Sequence, residues 1–585
     1  MFSIVCTNAI FAHIAQDLEL DKVFESINRT HTTQGKKALQ ELLATPTSDV
    51  KVLRDRQSVI SYLVDHSAQH EQIIAALKQV SKHEQIFEHA FAQSSSVENA
   101  SLEQFYFSSD MFKSWNKSPI GLELGQIAHF ANLMSSSAQH CLTWALLKWG
   151  LGEKKTCIGC PLDHDHDHAH DKKKKKDHSH NHDKDKKHDH KHEHVHDHAK
   201  PKKQDHAAHH HHDEEENNNV KNLKNALLAW HTVAIFQDLY SVCTTTCNEM
   251  HIIKELQQQL MTVAHGMHAI KTVHALLHDQ SEITAHLRRH QNLDAICMQV
   301  DVSEKLTTLL KLLETNTFKG KPSVFSRVGN ILAAYKLLQE VAHELQPALD
   351  AIGEIDACSS CAQLMTEHKT NDCCYSFAQY VTEQTTPQIQ CGNFWHPLID
   401  ASDISMNSFN LGTDNFARNA LLTGPNACGK STNLKSLTLC VYLAQTLSIV
   451  PAERHCQTIF KEIYSSMVIA DQLQQGKSLF ITELENAHTL LQRVAMLAPG
   501  ECIFVALDEL FKSTHHEKGQ KVAYQLLKKL HVCPQVITVA STHFEELTQL
   551  AQQNPTVCTN YTVKNFKVVR GIGTFDDMGN DDYFD

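Results

Sequence analysis

The strongest chemical signal in this chain is the run Gly424-Pro-Asn-Ala-Cys-Gly429-Lys430-Ser431-Thr432. A loop of the form G-x-x-x-x-G-K-[ST] turns backbone N–H groups onto phosphate oxygens and ends at a helix N-terminus. Lys430 would neutralise the β- and γ-phosphates, and the Ser431 hydroxyl would ligate Mg²⁺. An apolar run, Ala420 to Thr423, precedes the loop, and a helical pattern from Leu434 to Leu447 follows it. That is the strand–loop–helix order the motif needs. The expected ligands are ATP and Mg²⁺, with Gly424, Pro425, Asn426, Gly429, Lys430, Ser431 and Thr432 around the nucleotide.

Three further segments could complete such a site. The apolar run Ile503 to Leu507 ends in Asp508 and Glu509. Asp508 would hold the metal, and Glu509 would orient or deprotonate an attacking water. On their own, two acids at a strand end are often only a solvated edge; the pairing with the glycine loop gives them meaning. A later apolar run ends in Ala540-Ser541-Thr542-His543. His543 could contact the γ-phosphate or relay closure; a lone histidine is more often structural, but its place after the acid-tipped strand reverses that preference. Ser478, at the start of a helical pattern reaching about Leu497, is either an N-cap or a phosphate contact. The residue types leave that choice open.

The elements that would position these residues fall into two classes. Leu18, Leu20, Val23, Phe24 and Ile27 recur at helical spacing, as do Leu53, Ile60, Leu63 and Val64. Ser48 or Asp49 would cap the helix after Pro46. The stretch Val220 to His278 has one Gly and no Pro, which suits one or two very long helices. From about residue 375, short apolar runs alternate with helical patterns, as in an α/β domain with a mostly parallel sheet. The fold class is therefore long helices followed by α/β. The predicted organisation is a helical domain in two parts (1–162 and 217–374), an insertion (163–216), an α/β domain (375–570) and a loose acidic tail (571–585).

Composition bounds the function. The 585 residues carry a formal net charge of −13, with 54 Lys+Arg against 67 Asp+Glu. That excludes a uniformly basic nucleic-acid coat but leaves room for a local basic groove. No run of apolar residues is long enough to span a bilayer, and the start lacks the features of a signal peptide, so the expected location is the cytoplasm. The 18 Cys follow no disulfide framework.

Of the 43 His, 18 lie between residues 163 and 216, interleaved with Asp and Lys. A segment with so few apolar side chains cannot offset its ordering entropy and should be disordered. Its imidazoles and carboxylates would bind Zn²⁺ or Ni²⁺, with or without Cys157 and Cys160. Adventitious binding by a solvated low-complexity insertion is the plainer account. Cys358 and Cys361 could suggest a zinc site, but in a helical run they read better as small core residues. Cys428, inside the glycine loop, could carry a lowered thiol pKa; a small tolerated residue is the plainer reading.

Taken together, these segments resemble the MutS family of DNA mismatch-repair ATPases. The likeness rests on Leu422 to Thr432, Val450-Pro-Ala-Glu453, Ala470-Asp471 through Gly476-Lys-Ser-Leu-Phe480, Leu507-Asp-Glu-Leu510 and Ser541-Thr-His-Phe544. They come in the family's order and roughly its spacing. Upstream, Leu18 to Phe24, Asn28 to Gly35, Leu42 to Pro46, Arg54 to Gln57 and Phe394-Trp-His-Pro-Leu398 continue it.

The resemblance implies a long-helix lever and clamp carrying an ABC-like P-loop ATPase. It implies a homodimer through the ATPase domains, with ATP between the glycine loop of one copy and the Ser478 region of the other. It implies a clamp closing on double-stranded or branched DNA, in mismatch repair or related repair and recombination. This chain departs from the family pattern in several places. The resemblance starts at the lever, so a mismatch-reading or connector domain is not expected in this sequence. Phe511-Lys512-Ser513-Thr514 stands where the family has a Gly-rich stretch, and Ser478-Leu479 where it usually has Ser-Thr. The long C-terminal helices expected after Thr556 are not evident. The rival readings are a nucleotide-switched scaffold without mismatch recognition and a metal-responsive binding protein using the His tract.

Overall fold

Capping chemistry starts the helix after Pro46 where the sequence suggests. A computed structural model of the chain describes residues 9–91, 102–150, 210–322, 327–368, 373–382, 386–400, 402–413, 415–467, 479–512, 514–564 and 566–570. It begins with α1 (Ala9–Asp17), α2 (Leu20–Ile27), α3 (Thr33–Ala44), α4 (Val50–Asp65) and α5 (Ser67–Phe91). Asp49 caps α4, accepting from the Lys51 amide at 2.9 Å. Leu20, Val23, Phe24 and Ile27 all face inward from α2, each worth about 1.5–3 kcal/mol of transfer free energy.

The chain divides into two compact units, residues 1–123 with 253–585, and residues 124–252. The second unit is an antiparallel pair formed by parts of α6 (Pro119–Trp149) and α7 (His210–His278). Its internal contacts include His129 to Glu249 at 3.0 Å and the Trp144 indole N–H to Thr232 at 3.0 Å. Buried side chains are few here: Ser137, His231 and Val242 among the described residues. Trp230, Val233, Phe236 and Tyr240 lie on the surface. The helix begins at His210, within the 163–216 stretch. Extending an existing helix is cheap, since each added residue gains a hydrogen bond. Residues 163–209 and the tail 571–585 lie outside the described residues.

The first unit joins helices to two sheets. After α7 come α8 (Ser281–Thr284), α9 (His290–Met298), α10 (Glu304–Leu313), α11 (Val328–Val341) and α12 (Gln346–Glu367). Helix α12 is buried along most of its length and packs on α3, α4 and α9. Cys358 and Cys361 lie in that core, where burial pushes the Cys361 thiol up to about 12.

The family-like stretch Asn28 to Gly35 is the joint between α3 and α12. The Asp356 carboxylate accepts the His31 amide at 3.0 Å, the Thr32 amide at 2.7 Å and the Thr32 hydroxyl at 2.7 Å. Glu84 accepts the next two amides, Thr33 at 2.6 Å and Gln34 at 2.9 Å. Two carboxylates thus satisfy the N-terminal amides of α3, which have no partner within their own helix. A Cβ on Gly35 would lie 2.0 Å from Asp356 Oδ2, so only glycine lets the two helices approach this closely.

The mostly parallel sheet is present, with an antiparallel edge. Its strands are β4 (Asn419–Thr423), β7 (Glu462–Ser466), β8 (Ile503–Asp508), β9 (Val536–Ser541), β10 (Cys558–Lys564) and β11 (Lys567–Arg570), in the order β11-β10-β4-β9-β8-β7. Only the β10–β11 pair is antiparallel. A second, five-stranded sheet of order β3-β2-β6-β1-β5 was not foreseen. It comprises β1 (Ser376–Val381), β2 (Ile389–Phe394), β3 (Asn407–Leu411), β5 (Ile449–Val450) and β6 (Arg454–Thr458). Helix α13 (Lys430–Thr446) touches strands of both sheets and is buried on nearly every side. Three helices cover the parallel sheet's later strands: α14 (Leu479–Ala495), α15 (His516–Val532) and α16 (Glu545–Gln553).

Candidate functional site

Register brings the sequence-predicted residues to one edge of the parallel sheet. Leu422 on β4 pairs with Ser541 on β9, and Ser541 pairs with Asp508 on β8. The glycine loop begins two residues past Leu422, Glu509 follows Asp508, and His543 lies two residues past Ser541. Adjacent strands are about 4.8 Å apart, so β4 and β8 stand about 10 Å apart across β9. The Thr542 amide donates to the Leu422 carbonyl at 3.0 Å, extending the ladder past the strand ends.

The loop from 424 to 429 is a tight cup. Gly424, Ala427 and Gly429 have φ of 150°, 61° and 98°. A Cβ on Gly429 would lie 2.5 Å from the Phe566 ring, so glycine is required there on two counts. Lys430 is only 4% exposed. Its ammonium donates to the Gly424 carbonyl at 3.0 Å and the Pro425 carbonyl at 2.8 Å, closing the cup across its mouth. Pro425, Asn426 and Ala427 form an exposed crest, and Ser431 and Thr432 are half-buried at the start of α13.

A polar network holds the cup from behind. Asn433 donates to the Gly429 carbonyl at 2.9 Å and the Phe566 carbonyl at 3.1 Å. Asn407, on β3 of the other sheet, donates to Asn433 Oδ1 at 2.6 Å and to the Phe566 carbonyl at 2.9 Å. The Phe566 amide returns to the Cys428 carbonyl at 3.0 Å. None of Asn407, Asn433 or Phe566 was singled out from sequence, since single amides and a turn aromatic carry no motif.

The acidic edge is equally organised. The Ser541 hydroxyl donates to Asp508 Oδ1, and the Glu509 amide lies 3.2 Å from the same hydroxyl oxygen. Glu509 adopts a left-handed backbone, φ 46°. Its carboxylate meets His543 Nε2 at 2.8 Å and the Lys512 ammonium at 3.1 Å. Burial pushes the Glu509 carboxyl up, but Lys512 and His543 outweigh it and hold it below the usual range. Glu509 is thus an anion at neutral pH. At the start of the altered segment after it, Phe511 is fully buried, and its amide donates to Glu483 Oε1 at 3.2 Å. Ser541 and Glu483 are contributors that the sequence reading missed.

Ser478 lies outside the described residues, as does the rest of 468–478. His396, in the His-Pro element, is buried, and burial lowers its pKa to about 4, so it is neutral. The Ser431 hydroxyl and Asp508 carboxylate are hard oxygen donors of the kind that suit Mg²⁺. A tight glycine turn with one ammonium across its mouth has the charge for phosphate oxygens.

These features define a helical domain joined to a parallel α/β domain, with a glycine loop and paired acids along one sheet edge. Residues 14–378 match the family model for MutS domain III, and residues 420–573 match that for MutS domain V. The chain belongs to the MutS family. Among curated relatives, it is 29% identical over 260 residues to the DNA mismatch repair protein MutS of Solibacter usitatus, covering 43% of this chain and 26% of that one. It is 29% identical over 267 residues to the DNA mismatch repair protein Msh3 of Dictyostelium discoideum, covering 45% and 17%. To the human MutS protein homolog 4 it is 28% identical over 229 residues, covering 38% and 22%. The matched segments thus span less than a third of these relatives. No helix among the described residues is long and apolar enough to cross a membrane.

Proposed function

We propose that this chain is a Mg-ATP-hydrolysing DNA-binding clamp of the MutS family, acting in DNA mismatch repair or a related repair process. The observation that carries the enzymatic half is the shared register of Leu422, Ser541 and Asp508. It aligns a phosphate-type loop, a candidate metal ligand and a candidate base, as phosphoryl transfer to water requires. In this reading Gly424, Pro425, Asn426, Gly429, Lys430 and Thr432 hold the triphosphate. Ser431 and Asp508 hold Mg²⁺, which would neutralise developing phosphate charge. Glu509 accepts a proton or a hydrogen bond from the attacking water, and His543 orients Glu509. Lys430 exchanges its two carbonyl partners for phosphate oxygens. The exposed crest at Pro425 to Ala427 leaves the nucleotide's outer side open to a second copy, in keeping with a homodimer through the ATPase domains.

A second reading has its own support. From Asn225 to Ile253 the chain has no Lys or Arg, and neither does Pro119 to Leu147. Duplex DNA is gripped mainly through phosphate neutralisation, so these two helical stretches are poor backbone grips, and the Lys residues of the 124–252 unit all lie between them, from 148 to 224. A nucleotide-switched scaffold that grips a protein through this apolar hairpin follows from that composition. One measurement separates the two: ATP turnover and binding of homoduplex, mismatched, branched and single-stranded DNA, across a salt series. DNA-stimulated turnover with a steep salt slope supports the clamp. Turnover indifferent to every DNA at low salt rejects it in favour of the scaffold.

A further inference from the structure

Away from the sheet edge, two helices present four metal-type ligands to one another. His274 and His278 are one turn apart on α7, and His290 and Asp294 are one turn apart on α9. We propose that these four residues bind a zinc-class divalent transition metal. His274 Nε2 lies 2.9 Å from Asp294 Oδ1, and His278 Nδ1 lies 3.4 Å from the same oxygen. The ligand atoms of His274, His278 and Asp294 all fall within 4.8 Å of one another. Zinc bonds of about 2.0–2.1 Å in a tetrahedron set neighbouring ligand atoms about 3.3 Å apart. The observed spacings bracket that value, so binding needs only small side-chain rotations.

His290 stands beside these three, outside the set whose ligand atoms fall within 4.8 Å of one another, and would have to turn in to serve as the fourth ligand. Its ring stacks on that of His274, with centroids 6.0 Å apart and planes 17° from parallel. Its Nε2 is buried and has no hydrogen-bond partner. A buried nitrogen without a partner is costly, and hydrogen bonding within the cluster leaves it unexplained. One carboxylate serving His274 and His278 accounts for those two rings and not for the third. A metal accounts for all four groups, because it takes the lone pairs of neutral imidazoles and one carboxylate. The donor set of three nitrogens and one oxygen favours Zn²⁺, Co²⁺ or Ni²⁺ over Mg²⁺ or Ca²⁺, which take oxygen. His274 is buried while His278 is exposed, so the site has an inner wall and an open side. Bound metal would tie the end of α7 to α9 across the intervening turn at α8.

The His tract must be kept separate in the test, since its imidazoles also take up metal. Full-length protein, H278A and D294N share the tract, so its contribution cancels between them. H278A removes an exposed side chain and leaves the fold intact. Thermal melts with Zn²⁺ at equimolar and higher ratios, with Mg²⁺ as control, should show a Zn²⁺-dependent rise in Tm for the wild type only. The two variants should need at least about tenfold more Zn²⁺ for the same rise. Crystals soaked in Zn²⁺ should show anomalous density between α7 and α9. Equal Zn²⁺-dependent shifts in all three proteins, or no anomalous density at these residues, would overturn the proposal.

Discussion

The His543 imidazole stands 2.8 Å from the Glu509 carboxylate, and both lie just beyond the ends of adjacent parallel strands. When Nε2 carries the proton, His543 donates to Glu509 and fixes which oxygen faces outward. Exchanging Glu509 for Gln keeps the size and loses the anion. E509Q should therefore still bind ATP, while steady-state turnover falls by about 10²-fold or more. Nucleotide retained on the purified variant, set beside its phosphate-release rate, checks this. Normal turnover by E509Q would remove Glu509 from the chemistry.

Lys430→Ala acts at an earlier step. The ammonium is buried on two loop carbonyls, so its loss leaves both short of a donor and removes the positive charge from the cup. A stability loss of about 1–3 kcal/mol is expected from the carbonyls, together with loss of measurable ATP binding. Titration with a fluorescent ATP analogue and a urea melt measure the two effects separately. Wild-type affinity in K430A would refute the phosphate role of the loop.

Ser541→Ala tests a residue that lies in a family-like motif but was assigned no role from sequence. Its hydroxyl joins the Asp508 carboxylate to the Glu509 amide. Without it both acids keep their charge but lose a shared anchor. The expected outcome is a 10- to 100-fold fall in turnover, by analogy with lost supporting partners of metal ligands, and a raised Mg²⁺ requirement. An unchanged Mg²⁺ dependence of the ATPase rate would assign Ser541 to folding alone.

Asp356 sets a pH dependence of the opposite sign from the usual carboxylate. Burial pushes its pKa up to about 6, against the hydrogen bonds from Thr32 and His31 that pull it down. The folded state therefore holds a proton more tightly than the unfolded chain. Its contribution is fully present below about pH 4 and is lost as pH rises through about 6. A shift of about two units corresponds to about 3 kcal/mol. Asp356→Asn should flatten the fall in Tm between pH 4 and pH 7, while lowering Tm overall, because an amide offers only one acceptor to the donors at this joint. An unchanged pH slope in D356N would show that another group titrates.

How much was legible depended on whether a residue's role was local. Gly424 to Lys430, Asp508 and Glu509 could be read because strand, loop and helix chemistry lie within a dozen residues. The helices were legible because Leu20, Val23, Phe24 and Ile27 keep one face. The five-stranded sheet was not, because its strands are short and polar: Ser-Phe-Ala-Gln-Tyr-Val, Ile-Gln-Cys-Gly-Asn-Phe and Arg-His-Cys-Gln-Thr show no apolar run. They become strands through pairing with distant partners, such as Gln390 with Cys456. The roles of Ser541, Asn407 and Asn433 were invisible for the same reason, since their partners are 26 to 159 residues away.

Helix α13 has a consequence beyond its first turn. It starts at Lys430, and at its far end the Thr446 carbonyl accepts from the half-buried Arg56 guanidinium of α4. Nearby, the Thr47 amide donates to the Gln445 carbonyl at 2.9 Å. Seventeen residues at about 1.5 Å each make a strut of about 25 Å. A helix resists compression along its axis, so a displacement at the glycine loop would be carried toward Arg56 and Thr47. Arg56, within the family-like stretch Arg54 to Gln57, and Thr47, next to Leu42 to Pro46, would then be the receiving end of a push rod.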